Sequence, residues 1–124
     1  MSARVLIVDD EPNIVISLEF LLKREGFAVT VARDGEEGLA AVRAERPDLV
    51  ILDVMMPKLD GFAVLESVRA DPDLAPTRVL MLTAKGREAE RKKGLGLGAD
   101  AYMPKPFSTH ELVAKAKALL AGEG

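Results

Sequence analysis

The chain has no cysteine and no tryptophan, and only one histidine and one tyrosine. Without cysteine there can be no disulfide and no thiolate metal site, and His110 alone cannot build a histidine-based one. Lysine and arginine number 17 against 20 aspartates and glutamates, a formal net charge of −3. With a pI near 5.2, the basic footprint of a nucleic-acid binder is missing. No apolar run approaches the roughly 20 residues that a membrane span needs. The opening "MSARVLIVDDEP" lacks the long apolar core and small-residue cleavage site of a signal peptide. A soluble, cytoplasmic protein is expected, binding neither membrane nor nucleic acid directly.

The 124 residues suit a single domain, expected over residues 1–121, with 122–124 a frayed tail or the start of a linker. Five short apolar runs read as strands: "RVLIV" at 4–8, "FAVTV" at 27–31, "LVIL" at 49–52, "RVLML" at 78–82 and "AYM" at 101–103. The first, third and fourth are continuous rather than alternating, as in a parallel sheet covered on both faces. Segments of helical period separate them. Ile14, Leu18, Leu21 and Leu22 share one face; so do Phe62, Leu65 and Val68, and Leu112, Ala116, Leu119 and Leu120. Leu39 and Val42 mark a weaker helix at 34–45. A fourth helix at 86–97 is the weakest, because Gly94 and Gly96 each cost about 1 kcal/mol relative to alanine in a helix interior, and it is expected to be mobile or frayed.

Punctuation agrees with these limits. Pro12 suits a first helical turn, Gly26 the residue after a helix, and "RPD" at 46–48 a stop. The strand–helix alternation predicts an α/β fold: a doubly wound, five-stranded parallel sheet flanked by five helices, in the flavodoxin-like order 2-1-3-4-5. In that order the first and third strands are neighbours at the switch point, where ligands gather at the strand C-termini.

Asp9 and Asp10 end the first strand and Asp53 ends the third, so three carboxylates would share one crevice. At about 4 Å and an effective dielectric of 20, each like-charged pair repels by roughly 4 kcal/mol. Either protons or a cation must compensate, and carboxylates without histidine or cysteine favour Mg²⁺. A single acid before a helix is ordinarily an N-cap, which would explain Asp9 or Asp10 but not Asp53, since no helix begins for several residues after it. Thr83 ends the fourth strand, where a hydroxyl is ordinarily a cap or turn residue. Lys105 follows the fifth, where a lone lysine is ordinarily a solvated charge. Together they form the set that phosphoryl transfer requires: a nucleophile, a metal and donors for phosphoryl oxygens.

The segments "VLIVDDEP", "LVILDVMMPKLDG", "VLMLTA" and "GADAYMPKPF" resemble, in order and spacing, the signatures of response-regulator receiver domains (CheY-like) of two-component signalling. The likeness runs from about residue 4 to residue 120. It implies Asp53 as phospho-acceptor, and Mg²⁺ (Mn²⁺ substituting) held by Asp9, Asp10, Asp53 and the Met55 carbonyl. It implies Thr83 and Lys105 on phosphoryl oxygens, Tyr102 as a switch aromatic following Thr83, and a cis bond before Pro106. The implied donor is a sensor histidine kinase or histidine phosphotransfer protein. The implied output is a downstream effector domain or protein, or a homodimer, through the face of the fourth helix, fifth strand and last helix. Met55 and Lys85 stand where the family tunes water access to the aspartyl phosphate, and neither is an acid or amide, so a long-lived phosphate is expected. Ala101 departs from the second acid frequent at its position.

Three other readings compete. An aspartate-nucleophile phosphohydrolase usually carries a second acid two residues after the nucleophile, where this chain has Met55. A flavodoxin-like cofactor carrier needs a hydroxyl- or glycine-rich loop after the first strand, where this chain has "DDEPN". A non-phosphorylated pseudo-receiver, a docking module only, would have no use for the full set of site residues.

Overall fold

The computed structural model describes residues 3–56, 58–84 and 88–122. Strands and helices alternate: β1 (Arg4–Val8), α1 (Pro12–Arg24), β2 (Ala28–Ala32), α2 (Gly35–Glu45), β3 (Leu49–Asp53), α3 (Gly61–Ala70), β4 (Arg78–Ala84), α4 (Glu88–Gly96), β5 (Ala101–Lys105) and α5 (Thr109–Leu120). All four strand pairings are parallel, and the order is β2-β1-β3-β4-β5, as the sequence predicts. No helix among the described residues is long and apolar enough to cross a membrane.

Local signals explain the boundaries. Pro12 opens α1, and Gly26 follows its end at φ 95°, a left-handed conformation that glycine adopts freely. The side chains of Asp34, Asp60 and Ser108 cap α2, α3 and α5 by accepting backbone N–H groups three residues on. β5 runs two residues further than the apolar pattern suggests, through Pro104 and Lys105. As an edge strand it tolerates a proline, because no outer neighbour needs the missing N–H. The Lys105–Pro106 bond is cis. The weak fourth helix forms over Glu88–Gly96, and Gly94 is its buried residue. Gly86 and Arg87 of the expected helix lie outside the described residues, as do Lys85 and the tail residues Glu123 and Gly124.

The sheet divides the core in two. Val5 and Ile7 of β1, Leu49 and Ile51 of β3, Leu80 and Leu82 of β4, and Ala101 of β5 pack onto Val15, Leu18 and Leu22 of α1 and Leu112, Ala116 and Leu119 of α5. Leu6 and Val8, Val50 and Leu52, and Val79 and Met81 pack on the other side, with Val42 of α2 and Phe62, Leu65 and Val68 of α3. Side chains of a strand alternate between faces, so the continuous apolar runs fill both layers. Ala101 sits buried in the first layer.

β3 is the rigid mount of the sheet. All five of its residues are buried, with β1 on one side and β4 on the other. α3 presses directly on its end: a Cβ on Gly61 would lie 2.3 Å from the Asp53 carbonyl oxygen and 2.9 Å from the Val54 Cα. Backbone atoms cannot yield as a flexible side chain can. Gly61→Ala is therefore expected to cost about 2–3 kcal/mol in urea denaturation. Gly96→Ala, with nothing within 4 Å of its added methyl, is expected to gain about 0.5 kcal/mol. Equal effects of the two would contradict this packing.

Candidate functional site

Strand parity carries the charged groups to one place. Asp9 continues the Val5–Ile7 row, Asp53 the Leu49–Ile51 row, and Lys105 the row of Ala101 and Met103. All three rows face α1 and α5, so the C-terminal ends of β1, β3 and β5 deliver two carboxylates and an ammonium to the same side of the sheet. Lys105 Nζ stands 3.2 Å from Asp53 Oδ2 and 3.3 Å from Asp9 Oδ2, bridging both. Asp10 joins from the other parity. One carboxylate oxygen from each of Asp9, Asp10 and Asp53 lies within 4.8 Å of the others.

The helix-capping explanation of Asp9 and Asp10 is corrected. Glu11 holds the N-cap position of α1, without a side-chain cap bond. Asp9 is fully buried, while Asp10 is exposed. Asp9 Oδ1 accepts the Glu11 backbone N–H at 2.9 Å. Among the described residues Asp9 Oδ2 accepts no hydrogen bond, although the Lys105 ammonium lies 3.3 Å away as an ion pair. A buried carboxylate oxygen with charge nearby and no donor is costly. Glu11, 3.8 Å from Lys105 through Oε1, is a further acid that the motif reading did not single out; its only sequence signal is adjacency to Asp10.

Among the described residues, acids thus outnumber the one ammonium. Burial, and then the charge of Asp9, push the Asp53 carboxyl up from its ordinary 3.8 to about 6, which Lys105 and the Met55 backbone N–H only partly offset. Burial alone would depress Lys105, but the Asp53 and Asp9 carboxylates outweigh it and hold the ammonium above the ordinary lysine value. Among the described residues, the unpartnered Asp9 oxygen and an all-oxygen donor set fit a hard divalent cation that keeps several waters. The cluster opens into a cleft of about 700 Å³ lined also by Asn13, Ile14, Met55, Phe107 and Thr109. The Met55 side chain is largely exposed at its mouth.

The hydroxyl and the aromatic lie on the opposite parity. Thr83 is buried in β4, one residue beyond Leu82, the register partner of Asp53. Being part of a strand, it is neither a cap nor a turn residue. Tyr102 of β5 is half-buried, in register with Met81, and packs with the layer that holds α3. The Arg91 guanidinium of α4, which sequence reasoning missed, lies 4.6 Å from its ring centroid. A helix with so little apolar pattern gave no reason to single out one cation.

Residues 5–117 match the family model of the response regulator receiver domain. The chain is 49% identical over 120 residues to the alkaline phosphatase synthesis transcriptional regulatory protein PhoP of Bacillus subtilis, covering 97% of this chain and 49% of that protein. It is 46% identical over 120 residues to response regulator MprA of Mycolicibacterium vanbaalenii, covering 97% and 51%. The chain therefore spans about half the length of these relatives. Among solved structures, it matches the chemotaxis response regulator CheY4 of Vibrio cholerae with a TM-score of 0.90 and 33% identity, over 96% of this chain and 99% of that one.

The raised Asp53 value sets a pH dependence. A carboxyl whose folded value lies above its unfolded value contributes most to stability below the unfolded value of 3.8, and that contribution is lost as pH rises through about 6. In EDTA, Asp53→Asn is therefore expected to be more stable than the wild type at pH 8, by on the order of 3 kcal/mol, with the difference vanishing below about pH 4. Chemical denaturation across that range measures it. A wild type more stable than the variant at pH 8 would contradict the raising of Asp53 by burial and by the Asp9 charge.

Proposed function

The chain belongs to the response regulator receiver domain family, a signalling switch of two-component systems rather than a classical enzyme, and on that premise we propose that Asp53 is its phospho-acceptor. The observation that supports this most strongly is the Lys105 ammonium bridging two buried carboxylates, Asp53 and Asp9, with Asp10 alongside. The donor in this reading is the phosphohistidine of a sensor histidine kinase or histidine phosphotransfer protein.

An Asp53 oxygen attacks phosphorus in line with the P–N bond. The P–O bond forms as the P–N bond breaks, and the donor imidazole, protonated on its far ring nitrogen, leaves neutral with the bonding pair. A carboxylate is a weak nucleophile, so positioning and charge neutralisation carry the reaction. β3 and the Gly61 contact supply the positioning. Lys105, already held by Asp53, turns to a phosphoryl oxygen as charge moves onto phosphorus. Asp9, Asp10, Asp53 and the Met55 carbonyl would hold Mg²⁺, or Mn²⁺ in its place, and the ion would supply positive charge to offset that of the reacting oxygens. Water later cleaves the acyl phosphate, restoring the Asp53 carboxylate and releasing phosphate.

Thr83 donates its hydroxyl to a phosphoryl oxygen, and Tyr102 turns inward as Thr83 moves. The face of α4, β5 and α5 changes with it and engages an effector domain or protein, or a second copy of the chain. The unit that does this spans residues 1–121 and works in the cytoplasm.

Intact-mass measurement after incubation with acetyl phosphate and Mg²⁺ is expected to show the gain of one acid-labile phosphoryl group. Asp53→Asn and EDTA abolish it, and Lys105→Ala slows it by roughly a hundredfold. A group gained equally by Asp53→Asn would reject the assignment. Met55→Asn, placing a water-orienting amide at the cleft mouth, is expected to shorten the lifetime of the phosphorylated form several-fold; an unchanged lifetime refutes that role for residue 55.

A further inference from the structure

α4 is an unusual helix to find docked on a core. Its sequence "EAERKKGLG" offers one buried residue, and that residue is a glycine. Gly94 approaches Met81 so closely that a Cβ would lie 3.0 Å from the sulfur. The helix is otherwise fastened by cations on aromatic faces. Lys93 Nζ lies 4.5 Å from the Phe62 ring centroid, and the Arg91 guanidinium 4.6 Å from that of Tyr102.

The second contact is built rather than casual. Glu88, one turn earlier, holds Arg91 through an ion pair of 2.6 Å from Oε1 to Nη1. Among the described residues Arg91 Nε is buried with no hydrogen-bond partner, while the side chain as a whole stays 37% exposed, so the ring face and the carboxylate replace water on one side of the guanidinium. The turn after α4 is tied down separately: Arg69 Nε donates to the Gly98 carbonyl at 2.9 Å, and Arg69 Nη2 pairs with Asp100 at 2.9 Å. One end of the segment is thus anchored, while its body rests on a ring that shares a sheet face with Thr83.

We propose that Arg91 is a brake on the switch: its guanidinium holds the Tyr102 ring beneath α4, so that turning the ring toward Thr83 requires giving up this contact. The brake rests on the receiver reading above and adds to it a residue that sets the resting balance. A contact made only in the resting state lowers the apparent affinity of any ligand that selects the other state.

The experiment uses beryllofluoride with Mg²⁺ as a phosphoryl mimic, at a protein concentration where the chain sediments as a monomer. Binding is followed by calorimetry. Tyr102, the one tyrosine in a chain without tryptophan, is followed by its emission and ring NMR signals. Arg91→Met, which keeps the stem and removes the cation, is expected to bind about two- to five-fold tighter, the shift one partly exposed cation–π contact supports. Arg91→Gln should do the same, and Arg91→Lys should stay near wild type. Without ligand, the Tyr102 signals of Arg91→Met should already move toward their bound values. In a Tyr102→Leu background, Arg91→Met should change nothing. If the wild type does not respond to the mimic, the phospho-acceptor reading falls and takes the brake with it. If the wild type responds and Arg91→Met follows it, or if the gain persists in Tyr102→Leu, the brake alone is overturned.

Discussion

The constraint from which the rest follows is the crowding of like charge at a buried sheet edge. Asp9 and Asp53 are nearly inaccessible to water, and Asp10 is beside them, with carboxylate oxygens within 4.8 Å of one another. At that separation each ionised pair repels by roughly 3 kcal/mol at an effective dielectric of 20, and a single lysine cannot cancel all of it. Burial first, and then the neighbouring Asp9 charge, hold the Asp53 carboxyl above its ordinary value, a local cost to the folded state. The apolar core beneath it tolerates this because the strands are anchored on both faces. A site already short of positive charge is relieved by a cation, and a group whose negative charge arrives together with that cation is accommodated where a bare anion would not be.

Sheet geometry then separates the acid cluster from the hydroxyl and the aromatic. Asp9, Asp53 and Lys105 end rows that face α1 and α5. Thr83 and Tyr102 lie on rows of the opposite parity, with Met81 and the layer that includes Phe62. The two sets sit at one sheet edge but on opposite faces. Thr83 is where they meet: it adjoins Leu82, which pairs with Asp53, yet its own side chain belongs to the face on which α4 docks. Asp53 and the far layer are thus separated by a single step along β4.

Much of this was legible in the sequence. The continuous runs "RVLIV", "LVIL" and "RVLML" gave a parallel sheet, the turn residues gave its boundaries, and the strand ends gave the acids. The physical reason is that buried strands tolerate few polar letters, so an aspartate closing such a run stands out. Less legible was whatever depended on contacts between elements whose own patterns are weak. The capping role open to Asp9 disappears only when Glu11 is seen at the N-cap, because capping is a matter of backbone geometry that composition does not settle. Pro104 shortened the expected fifth strand, since a proline counts against a strand until that strand is known to be at the edge. Arg91 carried no signal at all: on a helix with five charged residues of nine, nothing singles out the one that meets an aromatic ring.

The weakness of α4 is then better understood as a property than as a defect. A helix held by leucines would lose a large apolar area on shifting, and the packed core would resist the move. A helix held by Gly94 against a flexible thioether and by two cations over rings loses little, because each fastening is individually small and a displaced cation returns to water. The glycines at 94 and 96 lower its intrinsic stability further, while Arg69 keeps the following turn in place through Gly98 and Asp100. The result is an element fixed at one end and lightly held along its body, next to the Tyr102 ring. If Asp53 is the phospho-acceptor, as proposed, these individually small fastenings are what one added charge, acting through Thr83, would have to overcome.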